Sequence, residues 1–134
     1  MFTDKTVLGH KAVGIANGLA AGVAMAFSAA ALVDPAIGLP AGSHVTAGVD
    51  FYAQAYAARA IPLGAAVLLA LVSRSKRGLV PLLAVAGLVQ VGDCVIGLAQ
   101  HNPGPVIGGS VLAATHLVSV WYLTRQQRIV AAAA

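Results

Sequence analysis

The chain has 134 residues, of which 59% are hydrophobic and only 9% are charged. An ordinary soluble domain carries about a quarter charged residues, so these proportions exclude such a domain and indicate a protein surrounded by lipid. The formal charge of +4 does not indicate a nucleic-acid partner, because the basic residues are scattered near the ends of apolar segments and not gathered on one face.

The first apolar segment, residues 12–32, is interrupted only by Asn17 and Ser28 and ends before Asp34 and Pro35, a typical helix stop. Preceding lysines and an alanine run also give it a likeness to a secretory signal peptide. Its apolar length of about 20 residues exceeds the roughly 7 to 15 of a signal-peptide core, so we predict a retained membrane span. Residues 35–50 are rich in Pro, Gly and Ser and predict an external loop.

Three further apolar segments follow, and each is long enough to cross a bilayer as a helix. They are residues 51–72, 79–99 and 106–123, separated by the turns SRSKRG and QHNPGP. Trp121 and Tyr122 fit an interfacial aromatic belt, and the tail from Thr124 is expected to fray. The predicted fold is therefore all-α: a single integral membrane domain over residues 1–134, built as a four-helix bundle.

Positive charge is distributed unevenly across the predicted membrane. Seven of the eight basic residues lie on one side, and the loops on the other side have none. The seven are Lys5, Lys11, Arg74, Lys76, Arg77, Arg125 and Arg128. Under the positive-inside rule that side is cytoplasmic, which predicts a multi-pass protein of a bacterial inner membrane with both termini inside.

Small residues recur at spacings that let membrane helices pack closely. Gly14, Gly18 and Gly22 form two overlapping GxxxG patterns, and Gly92 and Gly97 lie near Asp93. The pattern suits packing inside the bundle and packing against a second subunit equally well. Both alternatives stay open at this point.

Three ionisable residues, Arg59, Asp93 and His116, lie well inside predicted spans, where such groups are costly and usually partnered and functional. At a rise of about 1.5 Å per residue they lie about 12, 9 and 15 Å below the external surface. The sequence therefore predicts that all three share one layer in the outer half of the bilayer.

Helical spacing adds neighbours to this layer and predicts a polar pocket. Asp93 is the candidate acid or base, Arg59 the group that stabilises an anionic centre, and His116 a second proton-transfer group. The candidate substrate-binding residues are Tyr52, Tyr56, Gln90, Thr115 and Ser119. We expect no cofactor and no metal, because His44 and His101 are isolated loop residues and Cys94 is the only cysteine.

Each of these residues also has a purely structural interpretation. Arg59 and Asp93 could form an interhelical salt bridge that fixes packing, and His116 could simply hydrogen-bond a neighbouring helix. No nucleophile motif, nucleotide loop or zinc motif is present. We therefore expect either binding of a lipophilic small molecule, with isomerisation, cyclisation or hydration of it, or a non-catalytic accessory subunit of a larger membrane complex. Membrane lipid and a homo-oligomer or a membrane subunit are the expected partners; a channel is less favoured, because no inverted repeat is visible.

Two motifs resemble those of small, largely uncharacterised four-helix membrane proteins of bacteria and fungi related to the DoxX-like families. They are Arg59-Ala60-Ile61-Pro62-Leu63-Gly64 in the second span and Gly92-Asp93 toward the outer end of the third. Ala60 stands where these relatives often have an acidic residue. The resemblance covers about half of the chain, implies the four-helix fold and points to Arg59 and Asp93 as the important pair, without supplying a reaction.

Overall fold

The computed structural model describes residues 4–132, and their side chains from residue 8 onward except that of Lys76. It contains four long helices: α1 (Asp4–Val33), α2 (Ala47–Val72), α3 (Lys76–Ala99) and α4 (Pro103–Ala132). A short 3-10 helix, Pro35–Gly38, follows α1, and the described residues contain no strand. Each long helix has a segment long and apolar enough to cross a membrane. The all-α, four-helix prediction is confirmed.

Each helix begins before its predicted span, and the residues at the starts of α2 and α4 explain the earlier start of those two. Thr46 starts α2 at Ala47, since its Oγ1 accepts a hydrogen bond from the amide of Val49 at 3.3 Å. Pro103 starts α4 inside the segment predicted as a turn, in the first helical position that proline favours. The prediction that the tail from Thr124 frays is wrong as far as Ala132: α4 continues through strong helix formers such as Gln, Arg and Ala.

The start of α1 and the end of α4 lie at one end of the bundle, with the turn between α2 and α3, and we call this end the terminal end. The rings of His10 in α1 and Tyr122 in α4 are 5.9 Å apart, which places the start of α1 beside the end of α4. At the opposite end, Asn102 donates to the carbonyl of Gly38 at 2.8 Å and joins the two remaining loops. Of the seven basic residues predicted to be cytoplasmic, Lys5 and Lys76 have side chains outside the described part.

The bundle consists of two closely packed helix pairs. α1 packs extensively on α2, and α3 packs extensively on α4, whereas the α2–α3 and α1–α4 seams are thin. Glycines allow the close approach within pairs: a methyl group on Gly109 of α4 would lie 2.9 Å from the carbonyl oxygen of Gln90 in α3. Likewise, a methyl group on Gly64 of α2 would lie 2.5 Å from Met25 in α1. Small residues thus set the geometry of each pair.

A buried apolar cluster joins the two pairs near the terminal end. It draws side chains from all four helices, and Val67 and Leu83 are its fully buried members. The whole cluster is Ala21, Val67, Ala70, Leu79, Leu83 and Leu123. Away from this cluster the thin seams contain polar groups, and these form the candidate site.

Candidate functional site

An ion pair crosses the seam between α2 and α3. Arg59 Nη2 donates to Asp93 Oδ1 at 2.8 Å, and the two side chains are 44% and 13% exposed. The structure therefore brings the two charged residues of the predicted layer into direct contact. Such a charge-assisted hydrogen bond offsets part of the cost of placing both charges at membrane depth.

The Arg59 guanidinium also packs against Tyr56, which forms an aromatic pair with Phe27. The Arg59 Cζ lies 5.0 Å from the centre of the Tyr56 ring, within the range of a cation–π interaction. Tyr56 in turn meets Phe27 of α1 edge to face, with ring centres 6.4 Å apart. The predicted role of Tyr56 as a neighbour of Arg59 thus has a structural basis, and α1 contributes to the site through Phe27.

The second oxygen of Asp93 has an unusual environment. Oδ2 is sealed from solvent and has no hydrogen-bond partner, and among the described residues it is the one buried side-chain nitrogen or oxygen in that state. A buried unsatisfied carboxylate oxygen costs free energy. It is also an acceptor that is available to a donor group brought into the seam.

A small cavity lies beside the ion pair. Its volume is about 20 Å³, which is room for about one water molecule. Five of the predicted site residues line it: Arg59, Asp93 and His116, together with Tyr56 and Gln90. The full lining is Ala21, Ala24, Tyr56, Arg59, Ala60, Leu63, Gly64, Val67, Ala86, Val89, Gln90, Asp93 and His116. Because sites for drug-sized ligands have volumes of about 300–1,000 Å³, the predicted pocket is nearly closed in this conformation.

His116 belongs to a second polar cluster, which crosses the seam between α1 and α4. Its side chain is buried, and its Nδ1 lies 2.8 Å from Asn17 Oδ1. Asn17 is completely buried and donates from Nδ2 to Ser119 Oγ at 2.7 Å. His116 therefore contacts the cavity on one side and Asn17 on the other, without a hydrogen bond to Arg59 or Asp93.

The remaining predicted binding residues divide into two groups. Gln90 is 7% exposed and lines the cavity, and its side chain makes no hydrogen bond within the part of the chain that the structure describes. Tyr52 and Thr115 were predicted to line the site, and the structure places them elsewhere. Tyr52 is 74% exposed and packs on Phe51 about two turns away. Thr115 is rotated about 100° from His116 around α4 and so does not face the cavity. Its hydroxyl donates to the carbonyl of Val111 in its own helix.

Sequence reasoning missed Asn17, which was treated only as a polar interruption of the first span. In the structure it bonds to Val13 of its own helix and to two residues of α4. The available signal was its position in the middle of an apolar helix, where an amide must find a partner on another helix.

An open, apolar depression of about 350 Å³ lies along α1 and α2, lined by Leu32, Gln54, Ala57, Ala58, Ile61 and Pro62. It contains none of the predicted site residues. No group of three or more metal-ligating side chains occurs among the described residues.

Comparison with known proteins identifies a family. A family model described as Domain of unknown function (DUF4267) matches residues 16–125, which overlap all four helices and include every residue of the site. No curated protein and no solved structure matches the chain. None of these comparisons ties the chain to the DoxX-like group, and that resemblance stays a prediction.

Proposed function

The chain belongs to the family described as Domain of unknown function (DUF4267), and we propose that this member binds a lipophilic, oxygen-bearing small molecule at the seam between α2 and α3. The observation that carries the proposal is that Arg59 is partly exposed and has unused hydrogen-bond donors. Its side chain is 44% exposed on an apolar helix, yet the bond to Asp93 is the one hydrogen bond that its guanidinium makes within the described residues.

A guanidinium has several N–H donors, and hydrocarbon offers no acceptor for them. An ionised side chain at membrane depth costs at least about 2.5–3.5 kcal/mol on insertion scales. An oxygen of an amphiphilic molecule would accept from the free donors and lower this cost. The molecule's apolar body would remain among Leu63, Val89 and the surrounding lipid.

The small cavity limits how such a molecule binds. About 20 Å³ admits a single small polar group, so the polar head would enter the seam while the tail stays in the bilayer. Because the α2–α3 seam is thin compared with the α1–α2 and α3–α4 contacts, it is one of the two places where neighbouring helices separate most easily. A nearly closed seam equally favours a structural role for the ion pair, and the experiment below distinguishes the two.

The proposal extends to acid–base chemistry on the bound molecule. Asp93 Oδ2, which has no hydrogen bond, would accept a proton, and His116 would be the second proton-transfer group. Arg59 would stabilise an oxyanion that develops in the transition state. Isomerisation, cyclisation and hydration need only such groups.

The test is to identify lipophilic molecules that purify with the protein in nanodiscs and to quantify them by mass spectrometry. We expect one compound near one copy per chain, retained at about a tenth of that level or less in Arg59→Gln, since a lost charge-assisted hydrogen bond is worth about 1.5–3 kcal/mol. Arg125→Gln is the matched control, because Arg125 also stacks on a ring, Trp121 at 5.4 Å, but lies outside the cavity. Equal retention in both variants, or no compound above empty nanodiscs, contradicts the proposal.

We also propose that the termini and the α2–α3 turn face the cytoplasm of a bacterial inner membrane, because the basic residues concentrate at that end. The measurement is labelling of intact cells with a membrane-impermeant maleimide in a Cys94→Ser background. Ser43→Cys should react from outside, and Ser75→Cys should react only after lysis. The reverse pattern contradicts the orientation.

An accessory role is the second candidate, and the outward glycines favour it. A methyl group on Gly14, Gly22, Gly92 or Gly108 would meet no atom of the described residues within 4 Å. Packing inside the bundle therefore does not use these small surfaces, and another membrane helix could approach them closely. Purification of the chain as a single species without companions in mild detergent would contradict this role.

A further inference from the structure

We infer that Asn17 holds His116 with its proton on Nδ1, so that Nε2 presents a lone pair to the cavity and the site takes a hydroxyl group as hydrogen-bond donor. The inference deepens the proposed function, because it names the chemical class of the ligand's polar group. Asn17 is a positioning residue in this arrangement, since it contacts His116 and does not line the cavity.

The orientation of the Asn17 amide follows from its neighbours. Nδ2 lies 2.8 Å from the carbonyl oxygen of Val13, which can only accept. It also lies 2.7 Å from Ser119 Oγ, whose own proton is donated to the carbonyl of Thr115 at 2.7 Å. Both neighbours therefore need a donor from Asn17, and a flipped amide would place its oxygen against two acceptors.

The orientation of the amide decides the tautomer of the imidazole. With Nδ2 turned toward Val13 and Ser119, Oδ1 is the atom that faces His116 Nδ1 at 2.8 Å. Oδ1 has no proton to give, so Nδ1 must carry the hydrogen of this bond. In a neutral imidazole, Nε2 is then the nitrogen with a lone pair.

The position of Nε2 follows from what surrounds the ring. Within the described residues, the only hydrogen bond of His116 is the one to Asn17, so Nε2 has no partner. The one side-chain nitrogen or oxygen there that is both unpartnered and fully sealed is Asp93 Oδ2, so Nε2 is not fully sealed. Nε2 therefore borders open space. We assign this space to the cavity, because His116 is one of the residues that line it.

The balance of donors and acceptors around the cavity selects the ligand group. Asp93 Oδ2 and His116 Nε2 are both acceptors without donors, whereas Arg59 has donors to spare. The unbonded Gln90 amide supplies both donors and an acceptor. A hydroxyl can donate to an acceptor and accept from the guanidinium, whereas a carbonyl or ether oxygen can only accept. The cavity volume, about one water molecule, suits one hydroxyl, either of water or of an amphiphile's polar head.

The tautomer can be read directly by NMR of protein labelled with ¹⁵N-histidine in nanodiscs. With His10, His44 and His101 replaced by Gln, His116 is the only histidine that gives a signal. We expect a protonated, pyrrole-type Nδ1 and an unprotonated, pyridine-type Nε2. The opposite tautomer, or a ring protonated on both nitrogens, overturns the inference, and this reading needs no variant at Asn17.

Variants then test whether Asn17 is the cause. Asn17→Asp keeps an acceptor opposite Nδ1 and should keep its proton there, whereas Asn17→Leu should give a mixture of tautomers. Thr124→Val is the control, because the Thr124 hydroxyl bonds only within its own helix, and it should leave the His116 signals unchanged. An unchanged tautomer in a folded Asn17→Leu protein overturns the positioning role.

The hydroxyl preference is tested with two matched probes, 4-dodecylphenol and 4-dodecylanisole. We expect the phenol to shift the Nε2 signal toward its hydrogen-bonded position, and the anisole to leave it unchanged. If Nε2 is already hydrogen-bonded without a probe and neither compound changes it, water is the donor: the inference stands and the proposed lipophilic ligand fails. Equal shifts with both compounds, or an unbonded Nε2 in every sample, overturn the hydroxyl site.

Discussion

At the scale of single residues, the side chains of Arg59 and Asp93 are each other's only hydrogen-bond partners among the described residues. The guanidinium lies between the Asp93 carboxylate at 2.8 Å and the Tyr56 ring at 5.0 Å. Removing one partner leaves a charge in a medium that solvates it poorly. The partial exposure of Arg59 reduces this cost, because that side chain can reach toward the interface.

We therefore predict a positive coupling between these residues in a double-mutant cycle. Asp93→Asn and Arg59→Gln should each destabilise the protein, and the double variant should be less destabilised than the sum, with a coupling of about 1–3 kcal/mol. The measurement is the free energy of unfolding in mixed micelles titrated with SDS. A coupling below about 0.3 kcal/mol, within the additivity of independent sites, would show that the ion pair does not stabilise the seam.

Counting along the helices predicted which charged residues meet better than it predicted their depths. The structure pairs Arg59 with Asp93, although α2 begins at Ala47, four residues before the predicted start at residue 51, which adds about 6 Å to the counted depth of Arg59. The counted depth of His116 changes in the same way, because α4 begins at Pro103, three residues before the predicted start at Val106. At about 1.5 Å per residue this places His116 roughly 4.5 Å deeper, closer to Asn17, which the predicted depth did not indicate as a partner.

At the scale of helices, spacing predicts which residues share a face but not which face is inside. Tyr52 shares a face with Arg59, yet it lies about two turns closer to the start of α2 and is exposed. The sequence predicts the number of helices, because each of the four apolar segments is long enough to span a bilayer. Which helices pair closely depends on a few glycine contacts, such as Gly109 with Gln90 and Cys94, that no periodicity shows.

The neighbouring glycines 108 and 109 provide a matched test of this packing. A methyl group on Gly109 would lie 2.9 Å from the Gln90 carbonyl oxygen and 3.1 Å from the Cys94 amide nitrogen, and backbone atoms cannot move aside cheaply. Gly109→Ala should therefore destabilise the protein by about 1–3 kcal/mol. Gly108→Ala meets no atom within 4 Å and should be neutral or stabilising by up to about 1 kcal/mol through helix propensity.

Thermal unfolding of both variants in the same detergent is the measurement. The two substitutions add the same group at adjacent positions of α4, so differences in composition or expression cannot explain opposite effects. Equal stability of the two variants would show that α3 and α4 are packed less closely than the structure indicates.

At the scale of the whole molecule, apolar and polar contacts have different places. Glycine-mediated packing holds α1 to α2 and α3 to α4. Among the described residues, the side-chain hydrogen bonds between membrane-spanning helices of different pairs are those of Asn17 with α4 and of Arg59 with Asp93. The apolar cluster joins the pairs only toward the terminal end. Lipid supplies no hydrophobic drive for helix association, so the polar bonds have a large share in joining the two pairs.

This division predicts how the chain behaves when it is cut in the turn between α2 and α3, after Arg74. Residues 1–74 and 75–134, expressed together, should form two helix pairs that assemble and purify as one complex. Asn17→Leu combined with Arg59→Leu should reduce the recovered complex by about tenfold or more, because three interhelical hydrogen bonds of about 0.6 kcal/mol or more each are lost. Thr115→Val is the control, since its hydroxyl bonds only to Val111 in its own helix. If the double variant assembles as well as this control, the apolar cluster alone joins the pairs. The polar groups in the seams then do not contribute to assembly. Binding or chemistry would remain as the explanation for charged side chains at that depth.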